Sequence, residues 1–212
     1  MINIGLENDQ SNKMKRYYRF QSKIYDHTRW MFLFGRYSIL HLLPLAKDSQ
    51  LNILEVGCGT GYNLKRINRF FNKANITGVD VSSDMLSLAK KNCRHIQHVK
   101  FLNDRYSADL FTTKKQFDLI LFSYSLSMIN PGWEDLIEAA YNDLVPGGLI
   151  AVVDFNDSRF NAFKKHMKNN HVRMDHHILP ILEERFSSLS KEINSAYAGA
   201  WTYFTFVGLK PY

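Results

Sequence analysis

Cysteine is scarce in this chain. Cys58 and Cys93 are the only two among 212 residues, too few for a disulfide framework, and they point to a reduced, cytosolic setting. Long apolar runs are missing as well. No stretch reaches the roughly 18 apolar residues that a membrane-crossing helix needs. The longest, "MFLFGRYSILHLLPLA", is broken by Gly35, Arg36, His41 and Pro44, so it suits lying on a membrane and not crossing one. The opening "MINIGLENDQSNK" has no apolar signal-peptide core. Acidic residues are nearly absent from the region 11–41, where Asp26 faces seven Lys or Arg. No internal repeat or low-complexity segment appears.

What is present is a soluble-protein composition, 45% apolar and 22% charged, in a length that suits one α/β domain with a modest extension. The net charge of +7 is concentrated. Lys13, Lys15, Arg16, Arg19, Lys23, Arg29 and Arg36 form one cluster, and "RFNAFKKHMKNNHVRMDHH" (159–177) adds five basic residues against Asp175. Such asymmetry suits an anionic partner, nucleic acid or an anionic membrane surface; a plain solvated helix face is the alternative. Taken as a helix, residues 13–25 put Arg16, Arg19 and Lys23 beside an aromatic and apolar sector of Met14, Tyr17, Tyr18, Ile24 and Tyr25. That is the pattern of an interfacial helix.

From residue 51 the chain alternates strand and helix. "LNILEVG", "NITGVDV", "HVKFLN", "FDLILFSYS" and "LIAVVDF" read as strands. "YNLKRINRFFN", "SSDMLSLAKKNC" (capped by Ser82 or Ser83) and "GWEDLIEAAYNDL" read as helices. "VPGG" reads as a turn ahead of the fifth strand. A helical, His-rich insertion follows. "LSKEINSAYA" and "WTYFTFVGL" then make a hairpin turning near Gly199, which leaves the last strand antiparallel. The expectation is an α/β, doubly wound, Rossmann-like sheet of seven strands with N-terminal helices. Residues 1–48 form a helical collar or lid, and residues 49–212 form the catalytic domain.

Chemistry begins at "ILEVGCGTGYNL". Gly57, Gly59 and Gly61 let the backbone turn sharply and let a ligand approach closely. The dinucleotide fingerprint would need glycine where Tyr62 stands, which argues against NAD or FAD. Asp80 closes the next strand 19 residues after Gly61, where a carboxylate can accept both hydroxyls of a ribose. His166, His171, His176 and His177 match no zinc spacing, so no metal is expected.

Taken together, "ILEVGCGTG", "GVDVSSDML", "FDLILFSYSLSMI" and "LVPGGLIAVVDF" resemble the class I S-adenosylmethionine-dependent methyltransferases over residues 51–156. The resemblance implies S-adenosylmethionine as cofactor. It places Glu55, Gly57, Cys58, Gly59 and Gly61 around the methionine part, and Asp80 on the ribose. Val81 and Met85 flank the adenine, and Asn103 and Asp104 face its amino group. Arg105 and Tyr106 follow Asp104 where the family often has small residues. Ser123 and Tyr124 lie near the sulfonium. "YYRFQSKIYDHTRWMFLFGR" with "SYSLSMINPGW" further resembles the methyltransferases that convert diacylglyceryl-homoserine to the betaine lipid diacylglyceryl-trimethylhomoserine. Related phosphatidylethanolamine N-methyltransferases share much of that core. In this reading Tyr25, Tyr124 and Arg29 carry the acceptor site. Tyr18 and His27 help to shape it, no general base is assigned, and Arg159 is the second choice after Arg29 to receive a substrate carboxylate. The partner is a lipid at an anionic surface, with the enzyme cytoplasmic and peripheral on the inner face of the membrane. A soluble small-molecule acceptor is the alternative. "SYSL" replaces the Asp/Asn-Pro-Pro-aromatic motif of nucleic-acid amine methyltransferases, so no nucleic-acid partner is expected. Nothing marks an obligate protein partner.

Overall fold

The computed structural model describes residues 33–212. The readings placed on Tyr18, Tyr25, His27, Arg29 and the basic face of residues 13–25 lie outside the described residues. A short helix α1 (Ser38–His41) precedes β1 (Asn52–Val56), α2 (Tyr62–Phe70), β2 (Asn75–Val79), α3 (Ser83–Asn92) and β3 (Val99–Leu102). Next come β4 (Phe117–Ser123), α4 (Trp133–Asp143), β5 (Leu144–Asp157), α5 (Asn161–Asn169), α6 (Ile178–Arg185), β6 (Ser187–Ala196) and β7 (Trp201–Leu209). The strands form one sheet in the order β3-β2-β1-β4-β5-β7-β6.

The first five strands are parallel, joined by crossovers that carry a helix everywhere except between β3 and β4. β7 runs antiparallel to both β5 and β6. The hairpin that reverses the chain uses three successive left-handed residues, Tyr197, Ala198 and Gly199. The seven-stranded architecture with its antiparallel last strand is the one expected from the sequence. One detail differs. "VPGG" lies inside β5, where Leu144 already pairs with Phe117 before the register slips to Leu149 opposite Leu119. Gly147 takes φ +74° and donates its N–H to Lys210 O at 3.1 Å. The expected turn is therefore a bulge, which keeps the ladder going while the strand bends.

The central strands β1, β4 and β5 are apolar because both faces of the sheet are covered there, whereas the edge strand β6 is polar and largely exposed. Along β5, Leu149, Ala151, Val153 and Phe155 meet one core, shared with Leu64 and Ile67 of α2 and with Ile39 and Leu40 of α1. Ile150 and Val152 meet the other, with Leu136 and Ile137 of α4 and Leu182 of α6. One helix start is explicit too. Ser82 caps α3 by accepting from Met85 N at 3.3 Å, a contact worth about 1 kcal/mol. Among the described residues no helix is long and apolar enough to cross a membrane.

Candidate active site

The carboxyl ends of β1, β2, β4 and β5 share one edge of the sheet, and the sequence concentrates its glycines and polar groups there. Gly57 and Cys58 both donate N–H to Val79 O, at 2.8 and 3.1 Å, folding the loop over β2. Gly57 (φ +72°) and Gly61 (φ +78°) need to be glycine twice over. A Cβ would come within 2.9 Å of Ser125 Cβ in the first case and of Cys93 Sγ in the second. Gly59 (φ +53°) differs, because a Cβ there would meet nothing within 4 Å. Its space is open, as a loop that receives a ligand requires. Cys58 is buried with its Sγ against Gly78 of β2.

Asp80 organises this loop. Its Oδ2 accepts from Gly59 N at 2.8 Å and its Oδ1 from Ser82 N at 2.9 Å. Two backbone donors fix the carboxylate at the carboxyl end of β2, where an acid in this kind of fold can receive ribose hydroxyls. Asn103 donates from Nδ2 to Asp80 O at 3.0 Å, so it positions the Asp80 backbone. Asp104 is exposed, and its Oδ1 accepts from Arg105 N at 2.7 Å. Val81 is half-buried, whereas Met85 is wholly enclosed.

Below the loop lies a buried carboxyl within the electrostatic reach of a guanidinium. Glu55 is 1% exposed and its Oε1 accepts from Asn63 Nδ2 at 2.7 Å. Burial pushes its carboxyl up to about 8, against the opposing pulls of Asn63 and the Arg36 guanidinium. Burial likewise lowers Arg36, with Glu55 opposing the shift. The guanidinium carbon of Arg36 sits 4.0 Å from the centre of the Tyr62 ring, and that of Arg66 sits 4.1 Å from it. Both are within cation–π range. Arg36 arrives through Gly35 (φ +77°), which lies so close to Tyr203, Val153 and Thr205 that a Cβ would stand 2.7 Å from the Tyr203 ring. The segment 34–36 thus crosses the sheet and delivers a cation to Glu55.

At the end of β4, Ser123 Oγ and Ser125 Oγ are buried with no hydrogen-bond partner among the described residues. Tyr124 takes φ +56° and turns its hydroxyl onto Phe34 O at 2.8 Å. Burial pushes the phenol well above its usual value, so Tyr124 acts as a neutral donor that ties the incoming segment down. Asp154 on β5, fully buried, accepts from Ser127 N at 3.1 Å and Phe155 N at 2.8 Å and holds the 126–128 turn. Its carboxyl is raised to about 6 by burial. Over this edge stand aromatic rings. Phe34 stacks on Tyr203 with centroids 6.0 Å apart and meets Tyr197 edge-on at 5.6 Å; Tyr197 lies 4.8 Å from Trp201.

Arg36, Asn63, Ser125 and Asp154 were not singled out from the sequence. Arg36 figured as a break in an apolar run and as one member of the basic cluster, and Asn63 follows the last residue of the glycine motif by two. Arg159 stands at the rim, over the Phe160 ring at 4.9 Å and donating from Nη2 to Ala198 O at 3.5 Å. The histidines are engaged elsewhere. His176 pairs with Asp157 and Asn156, and His177 with Asp175 and the Trp133 ring. Among the described residues no cluster of His, Cys, Asp or Glu is placed to hold a metal ion.

These groups fit an amino-acid-bearing nucleoside. Among the described residues, Glu55 Oε2, Asn63 Oδ1 and Arg36 Nε are buried without hydrogen-bond partners, an arrangement costly to leave unmet. Together they offer acceptors for an ammonium and a donor for a carboxylate, next to an open glycine cradle and a ribose-ready Asp80.

Residues 53–148 match the family described as "Methyltransferase domain". A malonyl-[acyl-carrier protein] O-methyltransferase of Priestia megaterium is 33% identical over 118 residues, which is 53% of this chain and 40% of that protein. A demethylmenaquinone methyltransferase of Tropheryma whipplei is 33% identical over 107 residues, 50% of this chain and 43% of that protein. The chain therefore spans less than half the length of these curated relatives. Among solved structures, phosphoethanolamine N-methyltransferase 2 of Haemonchus contortus, in complex with phosphomonomethylethanolamine and S-adenosylhomocysteine, superposes with a TM-score of 0.75. That match has 16% identity and covers 93% of this chain and 60% of that one. The N-methyltransferase NodS of Bradyrhizobium japonicum with S-adenosylhomocysteine gives 0.67 at 19% identity, covering 84% and 86%. Fold and family match meet on one stretch: residues 53–148 match a methyltransferase domain, within the fold shared by these methyltransferase structures. The buried polar groups around Glu55 suit the methionine end of S-adenosylmethionine.

Proposed function

We propose that this protein transfers methyl groups from S-adenosylmethionine to the amine head group of a lipid. The foremost acceptor is diacylglyceryl-homoserine, taken through three methylations to the betaine lipid. The observation that supports a lipid acceptor is the aromatic rim. Phe34, Tyr197, Trp201 and Tyr203 stand at the same sheet edge as the Glu55–Arg36 pair and the glycine loop. A rim of rings beside a charged pocket suits a molecule with an ionic head and an apolar body.

When bound, the cofactor supplies a methyl group already activated on a sulfonium, so the chain's task is to position the acceptor and keep water out. Glu55 and Asn63 receive the ammonium, Arg36 the carboxylate, and Asp80 the ribose hydroxyls. Tyr124 holds the 34–36 segment in place through Phe34 O. The acceptor amine attacks through its lone pair, so the proton of each ammonium form leaves to water before attack. A carboxylate beside that amine calls for a cation. Arg29 is the first choice and Arg159, at the rim, the second. This charge reading would separate the homoserine lipid from phosphatidylethanolamine, because a site built for a charged group rejects the analogue that lacks it by orders of magnitude.

The malonyl carrier-protein and menaquinone relatives give a second reading, a carboxylate or ring acceptor delivered by another carrier. Mass spectrometry of lipids from a host that expresses the protein and is supplied with the homoserine lipid separates them. Trimethylated homoserine lipid supports the first reading. A rise in methylated phosphatidylethanolamine moves the acceptor to the phospholipid. No change in any lipid ends both lipid assignments and leaves the carrier-bound or soluble acceptor.

A further inference from the structure

We propose that a second surface, built by residues 159–168 next to the β6–β7 turn, docks the protein on an anionic lipid bilayer. The inference rests on the lipid-acceptor reading for its purpose and on separate residues for its support. The helix α5 has no buried residue along its length. Phe163 and Met167, one turn apart, rest against the core, with Phe163 stacked on Trp201 at 5.2 Å. Every other position is turned outward or lies at the margin. Just before it, Phe160 is 48% exposed, and across the turn Tyr197 is 50% exposed. Arg159 joins the two, lying over Phe160 and reaching Ala198 O. Through Tyr197 the patch continues to Phe34, 37% exposed, at the edge of the pocket.

Charge decides the occupant. Residues 158–174 hold five Lys or Arg and no acid. Lys164 and Arg173 are held by Asp157 and Asp175. Among the described residues, no ion pair engages Arg159, Lys165 or Lys168. Three cations on one outward surface, flanked by phenylalanine rings that lack any polar tip, match a bilayer. Head-group phosphates and carboxylates meet the cations, and the rings enter the acyl boundary. A nucleic acid would satisfy the cations and leave the phenylalanines without a reason to be exposed. Docked this way, the carboxyl edge of the sheet faces the membrane and the aromatic rim opens onto the lipid.

The test is co-sedimentation with phosphatidylcholine vesicles, with and without phosphatidylserine. It compares the wild-type chain, Phe160→Ala, and the double variant Lys165→Glu with Lys168→Glu. Wild type should prefer the anionic vesicles, and added salt should weaken the preference. The double variant should lose about tenfold or more in partitioning, since each basic group near an anionic surface contributes a sizeable share. Phe160→Ala should weaken binding to both vesicle types. S-adenosylhomocysteine affinity, and methylation of acceptor dispersed in detergent micelles, should stay at wild-type levels in all variants. Unchanged partitioning in both variants overturns the proposal. So does displacement of the protein from neutral and anionic vesicles alike by an oligonucleotide. Failure of the wild-type chain to methylate lipid even in micelles refutes the acceptor assignment instead, whatever the vesicles show.

Discussion

Titration of Glu55 should set the pH dependence of cofactor binding. The carboxyl sits at about 8 because burial disfavours its charged form, and this outweighs the opposing pulls of Asn63 and the Arg36 guanidinium. A carboxyl at that value is about one part in a hundred ionised at pH 6, and half ionised at pH 8. The ammonium of the cofactor needs the ionised form. S-adenosylhomocysteine should therefore bind about 50-fold more tightly at pH 8 than at pH 6, a difference of ~2.3 kcal/mol. Binding near neutral pH should release about one proton, because Glu55 is mostly protonated before the ligand arrives. Isothermal titration in buffers of different ionisation enthalpy reads both quantities. Glu55→Gln keeps the volume and the Asn63 contact but cannot ionise. Its affinity should be low and flat with pH, near the wild-type value at pH 6. A flat wild-type profile, or a sloping one in Glu55→Gln, would refute the reasoning.

Other outcomes follow from the same geometry. Asp80→Ala should weaken S-adenosylhomocysteine binding and loosen the glycine loop together, since Gly59 N and Ser82 N lose their shared acceptor; calorimetry shows the first and hydrogen exchange at Gly59 the second. Gly59→Val should weaken the same binding strongly, while leaving the melting temperature closer to wild type than Gly61→Val does, because only Gly61 lacks room for a side chain. Tyr124→Phe should leave Phe34 O without its donor, at a cost of about 1–2 kcal/mol in stability, and speed proteolytic cleavage near residue 34. The folded carboxyls of Glu55 and Asp154 stand at about 8 and about 6, above their unfolded values of 4.5 and 3.8. The ligand-free fold therefore binds more protons than the unfolded chain between about pH 4 and pH 8. Its contribution from these groups is complete at low pH and is lost as pH rises through that window, so the melting temperature should fall across it. Cofactor, by favouring ionised Glu55, should flatten the upper part of that fall.

The parallel sheet and its antiparallel end were legible in the sequence because each element carried its own signal. Strands apolar on both faces, as in "FDLILFS", mean a covered parallel sheet, and Gly199 marked the hairpin. The glycine loop and Asp80 were legible for a similar reason, since their roles depend on backbone shape and position along the chain. The Glu55–Asn63–Arg36 group was not legible as a unit. Arg36 lies 19 residues before Glu55, and only the crossing of Gly35 over β5 and β7 brings it there. Asp154 reads as part of a strand; its buried bonds to the 126–128 turn depend on the pairing of β4 with β5. "VPGG" carried a turn signal that tertiary pairing absorbed into a bulge.

The most direct test of the whole account uses the purified protein, S-adenosylmethionine with a labelled methyl group, and micelles of diacylglyceryl-homoserine or phosphatidylethanolamine. Product lipids are then read by mass spectrometry. The account expects label in the homoserine lipid as mono-, di- and trimethyl species in sequence, little label in phosphatidylethanolamine, and loss of all label with Asp80→Ala. Label confined to phosphatidylethanolamine, or no labelled lipid from a protein that binds S-adenosylhomocysteine normally, would contradict it.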